Sequence, residues 1–330
     1  MKILKSKLPE LFDLMAKDAN VLVPMDIKGV KKFAPWGTKG ELAMDEVNTL
    51  LPPKDALFPQ TEKMYKFRLE NQEVEDFAEI KESQNQVIFG IRSCDLKSIE
   101  CMDDVFLTKG YVDSFYKEKR DALTTVAIGC AKVNPTCFCD SMGLDPNHAP
   151  GADVQLNDCG DAYVVKAQTE KGEALVKAWG ALVQDGEGEV KKVECELKVD
   201  MTGVKDKLMN MFDHEIWNDE GKKCLGCGTC TFVCPTCYCF DINNKMDGND
   251  GYQFRCWDSC MFSEYTRMAG GHNPRPSKKE RVRNRFMHKL CYFEDRYGKE
   301  LCVGCGRCVA KCPVGLDITR FIDKVKEVEL

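Results

Sequence analysis

Twenty cysteines stand in this chain of 330 residues, and eight of them fall into two copies of one spacing. Cys224-x2-Cys227-x2-Cys230-x3-Cys234-Pro235 returns as Cys302-x2-Cys305-x2-Cys308-x3-Cys312-Pro313. This is the bacterial ferredoxin run, in which three thiolates on a tight loop hold one 4Fe–4S cube and the fourth Cys ligates the other. The spacing therefore predicts two clusters. One is held by Cys224, Cys227, Cys230 and Cys312, the other by Cys302, Cys305, Cys308 and Cys234. Gly226, Gly228, Gly304 and Gly306 are expected to let backbone N–H groups approach the cluster sulfides. A set of four thiolates also suits zinc. Two full runs, each closed by Pro, argue for iron and sulfide.

The other cysteines carry weaker signals. Cys94 follows an apolar run ending at Ile91, Cys130 follows another ending at Ile128, and Cys137 and Cys139 lie just beyond it. If those runs are parallel strands, their carboxyl ends meet at one edge of a sheet, where open α/β folds place their sites. Four thiols at one edge read as a third metal cluster, a zinc site, or core packing, since free Cys is also a small buried hydrophobe. Pro135-Thr136-Cys137-Phe138-Cys139 recurs as Pro235-Thr236-Cys237-Tyr238-Cys239. Cys237, Cys239 and Cys260, with Cys256 or His272 as fourth ligand, are candidates for a further cluster, or else structural thiols beside the ferredoxin pair. Cys101, Cys159, Cys195 and Cys291 stand alone and read as core residues. His148, His214 and His288 read as surface or packing histidines.

The elements that must position these groups form an α/β (α+β) N-terminal domain with a mainly parallel sheet, residues 1–200. A linker helix at 201–222 and a helical ferredoxin-like dicluster domain at 223–330, with a long insert at 235–301, complete the expected plan. An amphipathic helix is expected over 3–18, a buried strand over Val87–Ile91, a helix over 95–107 and a strand over Thr124–Ile128, which together make a βαβ unit. Further strands are expected at Ala162–Lys166 and Val190–Val199, flanking a helix at 170–183. Val204–Trp217 reads as amphipathic helix, 243–251 and 269–277 as Gly-, Asn- and Pro-rich loops, 258–268 as a helix and 278–296 as a basic helix.

Composition removes several classes. The net charge is −6, and a mildly acidic chain is poorly suited to neutralising nucleic-acid phosphates. Apolar runs are far shorter than a bilayer span, so no integral membrane contact is expected. Charged residues interrupt the first 20 positions and leave no secretory core, so the expected location is cytoplasmic. Thiols stay reduced there, and metal or redox chemistry explains them better than disulfides do. Neither G-x-G-x-x-G nor G-x-x-x-x-G-K-[ST] occurs, and no Ser/His/Asp or H-E-x-x-H arrangement is recognisable. The basic run from Arg275 to Lys289 reads either as a positive face near the clusters, favouring their reduced state or docking an acidic subunit, or as a solvated helix face.

Several segments carry a family likeness. Phe89-Gly90-Ile91-Arg92-Ser93-Cys94-Asp95, Thr136-Cys137-Phe138-Cys139 with Ser141-Met142-Gly143, Pro235-Thr236-Cys237-Tyr238-Cys239, Trp257-Asp258-Ser259-Cys260 and Ala269-Gly270-Gly271-His272-Asn273 resemble those of the sulfhydrogenase beta subunit. The electron-transfer subunit of anaerobic sulfite reductase is similar, as are dicluster proteins accompanying heterodisulfide-reductase-type complexes. The resemblance implies an iron–sulfur subunit relaying electrons in an anaerobic complex. Its partners would be a hydrogenase, heterodisulfide-reductase-like or sulfite-reductase subunit together with a flavin/NAD(P)-binding subunit. It supports the eight ferredoxin cysteines and implies roles for Cys94, Cys130, Cys137, Cys139, Cys237, Cys239, Cys260 and His272, favouring His272 over Cys256. The expected cofactors are two 4Fe–4S clusters with one or two more. The alternatives are a reductase acting on substrate at an N-terminal cluster, and a scaffold holding structural metal.

Overall fold

The computed structural model describes residues 1–80 and 84–329. In chain order, a large sheet takes β1 (Lys2–Leu4), β2 (Asn20–Ile27), β3 (Val30–Pro35) and β4 (Glu41–Leu42), and a small sheet takes β5 (Thr61–Glu70) and β6 (Glu73–Glu79). The chain then returns to the large sheet with β7 (Gln86–Ile91), β8 (Leu123–Ile128), β9 (Val154–Asp158), β10 (Ala162–Ala167) and β11 (Val183–Gln184). β12 (Phe240–Asp247) and β13 (Asp250–Trp257) complete the small one.

The large sheet runs β11-β1-β10-β9-β8-β7-β2-β3, with β4 also on β2. Its central strands β9, β8, β7 and β2 are parallel, and its flanks are antiparallel. β7 is buried at every position because helices cover both faces. Helices Leu8–Met15 and Glu170–Ala178 close one face through Leu11, Phe12 and Val176. Helix Ser93–Leu107 closes the other through Leu96, Ile99, Met102 and Phe106. The mixed α/β class and the βαβ unit read from the sequence are present, with an additional helix, Ser114–Asp121, before β8.

The C-terminal core forms where helices Val204–Asn210, Ile216–Lys223, Lys278–Met287 and Ile318–Glu327 bring together Trp217, Phe286 and Phe321. The last two rings stack at 4.3 Å. The small sheet joins both parts of the chain, because β13 of the insert pairs antiparallel with β5. At that seam Arg255 is fully buried and bonds Glu62 at 2.6 Å and Asp113 at 2.5 Å.

Several expectations about local structure differ from what is found. The helix expected over 3–18 is confined to Leu8–Met15, because Lys2–Leu4 joins the large sheet beside β10. Val190–Val199 is irregular, because side chains of the preceding loop take its N–H groups: Val193 donates to Asn147 Oδ1, Cys195 to Asp140 Oδ2 and Val199 to Ser141 Oγ. Residues 258–268 hold only a short turn of helix at Glu264–Thr266. Asp258 and Ser259 accept from the N–H groups of Ser259 and Met261, which competes with helix. The segment 243–251 is part of the β12–β13 hairpin, whose Gly248-Asn249 turn is a hairpin signal. Val204–Trp217 splits into two helices around Met211–Glu215.

Candidate metal centres

The N-terminal thiols are gathered by one arginine. Arg92, at the exit of β7, donates through Nη1 to the carbonyls of Ile128 (3.1 Å) and Gly129 (3.2 Å) and through Nη2 to that of Glu46 (2.9 Å). It thereby locks the ends of β7 and β8 together. Cys94, in the first turn of helix Ser93–Leu107, packs with Cys137, Cys139 and Cys195, and Cys130 borders the same group. The Cys139 and Cys195 sulfurs are 3.7 Å apart. Burial pushes the thiols of Cys94, Cys130, Cys137 and Cys139 up. The residue that sequence reading places in the core, Cys195, therefore belongs to this group. It is brought there by the irregular segment held by Asp140 and Asn147.

The second ferredoxin run docks directly on these thiols. Cys305 packs in the same group, and its carbonyl accepts from Asn48 Nδ2 at 2.8 Å; the same nitrogen reaches Cys137 Sγ at 3.5 Å. Arg307 forms a buried bidentate pair with Asp95 at 2.6 and 2.8 Å and donates from Nε to the Thr49 carbonyl at 2.8 Å. Gly304 and Gly306 have φ of +63° and +72°. A Cβ on them would lie 2.5 Å from the Phe138 carbonyl oxygen and 2.1 Å from that of Thr136. Their close approach is thus to the loop Thr136–Cys139, a neighbour that spacing alone does not reveal. Cys234 is among the charged groups acting on Cys302, Cys305 and Cys308. Burial raises all three thiols, Cys308 to about 12.

The first run surrounds a cavity. Cys224, Cys227, Cys230 and Cys312 line a tight pocket together with Met261, Arg285 and Leu316. Burial raises Cys224, whereas Cys227 is exposed and is held below the usual thiol range by hydrogen bonding with Thr229. Arg285 is 3 % exposed, yet its Nε has no hydrogen-bond partner. Its guanidinium lies 4.9 Å from the centre of the Phe286 ring, and a buried N–H without an acceptor is costly. A cavity walled by four thiols with such a cation on its rim fits an anionic metal–thiolate group. Coordination would ionise these thiols outright.

The insert thiols separate into pairs. Interaction with Cys237 lowers the Cys234 thiol, and the same interaction raises that of Cys237. Interaction with Cys260, and secondarily with Tyr265, lowers the Cys239 thiol to about 6. Cys256 lies on β13 beside Asn243. His272 is exposed and closes a turn through its carbonyl, which accepts from the Met268 N–H. Among the described residues, no group of three or more His, Cys, Asp or Glu side chains stands as it would around a single metal ion.

Residues 223–316 match the 4Fe-4S dicluster domain family. Along its length the chain is 31% identical to sulfhydrogenase 2 subunit beta of Pyrococcus furiosus, covering 99% of this chain and 98% of that protein. The chain belongs to the sulfhydrogenase beta subunit family. No solved structure matches it. In this sulfhydrogenase beta homologue the dicluster match takes in both cysteine runs and the whole insert between them. No described helix is long and apolar enough to cross a membrane.

Proposed function

We propose that this chain is a cytoplasmic iron–sulfur subunit of an anaerobic oxidoreductase complex. It would carry electrons between a catalytic subunit of hydrogenase, heterodisulfide-reductase or sulfite-reductase type and a flavin/NAD(P)-linked subunit. The observation that carries this reading is the row of thiol groups. The N-terminal group of Cys94, Cys130, Cys137, Cys139 and Cys195 adjoins Cys305. Helix Arg307–Lys311, which carries Cys308, packs against helix Thr229–Phe232, which carries Cys230, and the set containing Cys230 reaches the surface at Cys227. When bound, 4Fe–4S clusters supply one-electron storage at potentials set by charge, hydrogen bonding and burial.

The chain's own residues have three tasks in this reading. Cys224, Cys227, Cys230 and Cys312 hold one cluster, and Cys302, Cys305, Cys308 and Cys234 hold the other. The N-terminal group holds a third, with Cys195 among its five thiols. Cys237, Cys239 and Cys260 stand as pairs beside the dicluster core. Arg92, Asn48 and the Arg307–Asp95 pair fix the spacing between the groups. In the same proposal residues 1–200 and 223–330 are two units, the second of helical ferredoxin type, joined by the helices at 201–222 and by the small sheet.

Iron, acid-labile sulfide and zinc content, with EPR after dithionite, tests this on anaerobically purified protein. About 12 iron per chain is expected for three clusters and about 8 for the ferredoxin pair alone. Redox-silent protein containing zinc would overturn the reading. Turnover of sulfite or a disulfide by the isolated chain with an artificial donor would replace the relay by a reductase.

A further inference from the structure

Three cations of the basic run are buried: Arg281 is satisfied by the Arg275 and Pro276 carbonyls, whereas Arg285 and Lys289 are turned toward thiols. Helix Lys278–Met287 runs into a single π turn, His288–Tyr292, and places Arg285 and Lys289 four residues apart on one inward side. They are 3 % and 4 % exposed. By contrast, Lys278 on the same helix is exposed. The groups of opposite charge acting most strongly on both are thiols and not carboxylates. For Arg285 they are Cys230 and Cys308, one from each ferredoxin set, followed by Cys237 and Cys234. For Lys289 they are Cys234, Cys237 and Cys302. Lys289 Nζ donates to Thr236 Oγ1 at 2.8 Å, and that hydroxyl lies 3.3 Å from Cys234 Sγ. A hydrogen-bonded line thus runs from the ammonium to a cluster-facing sulfur. Arg285 has its Nε unpartnered on the rim of the cavity walled by Cys224, Cys227, Cys230 and Cys312.

Lys54 is a further buried cation here, and its Nζ donates to the Cys237 carbonyl at 2.9 Å. We propose that Arg285 and Lys289 are buried counter-cations of the dicluster core, which set the reduction potentials of its two centres unequally. Arg285 stands between the sets and raises both potentials. Lys289, acting through Thr236, raises only that of the centre held by Cys302, Cys305, Cys308 and Cys234. The reason is charge. Gaining an electron adds negative charge to the metal–thiolate group, and a fixed cation in a water-poor interior favours that state more than it would in water. Arginine keeps its charge when buried. The two cations are positioning residues that do not themselves react, and they make the helix a bias on electron distribution and not a docking face. This inference rests on the iron–sulfur reading above.

An EPR-monitored redox titration tests it on the full chain, with iron content measured on every sample. Arg285→Met is expected to lower both ferredoxin-type potentials. Lys289→Met is expected to lower one of them by about tenfold in the reduction equilibrium, or about 59 mV for a one-electron couple. Lys289→Arg should restore most of that loss. Thr236→Val keeps the shape and the charge but cuts the link, and should lower the same centre by less; it also reads the link if Lys289→Met fails to hold iron. Full iron with unchanged potentials in Arg285→Met and Thr236→Val overturns this inference and leaves the iron–sulfur assignment standing. Wild-type chain without iron or sulfide overturns that assignment itself.

Discussion

The two ferredoxin runs share a spacing but not an environment. In the first, Leu225 is 58 % exposed, Cys227 is exposed, and a Cβ on Gly226 would meet nothing nearer than 3.8 Å. In the second, the corresponding Val303 and Cys305 are 3 % and 7 % exposed, and Gly304 lies against the backbone of Phe138 and Cys139. The residue before the third Cys of each run is decisive. Thr229 bonds only locally to Cys227, whereas Arg307 reaches Asp95 in the N-terminal part. One motif therefore supplies an exposed loop and a buried one, and the flanking residues decide which. The cysteine spacing is shared by the two loops, and the residues between the cysteines decide how deeply each loop is buried.

Substitutions at matched positions break or sharpen that comparison. The largest effect is expected for Cys305→Ala, which should cost about four iron per chain and lower Tm by loosening the seam. Cys227→Ala should damage the other centre with a much smaller fall in Tm. Iron analysis and calorimetry distinguish them, and equal falls in Tm would erase the distinction. Next, Arg307→Met leaves Asp95 buried without its partner and should cost about 3–5 kcal/mol. The matched Thr229→Ala should cost about 1 kcal/mol or less. Chemical denaturation of the two variants under argon measures both.

A smaller contrast is expected at the glycines. Gly226→Ala carries only the left-handed backbone penalty, about 1–2 kcal/mol. Gly304→Ala adds a collision with Phe138 and should exceed it, and similar midpoints would show that the loop yields. The smallest effect concerns Asp140. Burial acts to raise its pKa, but hydrogen bonds from Lys198 and the Cys195 N–H outweigh this and hold the carboxyl below the usual carboxylate range. Its stabilisation of the Cys195 segment is therefore complete above about pH 3.9 and is lost as pH falls through the lower folded value. Asp140→Asn should remove that acid-range slope, worth about 1 kcal/mol or less, from a profile of Tm against pH.

How much of this is legible in the sequence follows from where each signal lies along the chain. The two runs are local, so their ligands stand in the sequence at fixed offsets, and β7 and β8 are apolar runs whose parallel pairing predicts the meeting of Cys94 with Cys130. Cys195 is not legible. It is 56 residues from Cys139 and arrives on backbone with no period, fixed by side chains of Asp140, Ser141 and Asn147. The alternation around it suggests a strand, and the N–H groups that alternation implies are satisfied by a loop instead. The inward turn of Arg285 and Lys289 is half legible: the basic run is visible, but composition alone does not say which cations a helix turns toward its core. The hairpin of the insert carries its signal in Gly248-Asn249, and its polar solvent face makes it read as loop.

The pairing of β13 with β5 sets a timetable. Glu62 and its partner Arg255 are 193 residues apart, so a ribosome making about 5–20 residues per second leaves the β5–β6 hairpin without its neighbour for about 10–40 s. A two-stranded hairpin is marginal on its own, and its open edge can pair with the wrong chain. The early part of this protein therefore waits, incomplete, for the late part to emerge. Nascent chains halted before residue 250 should need a holding chaperone that released full-length chains do not.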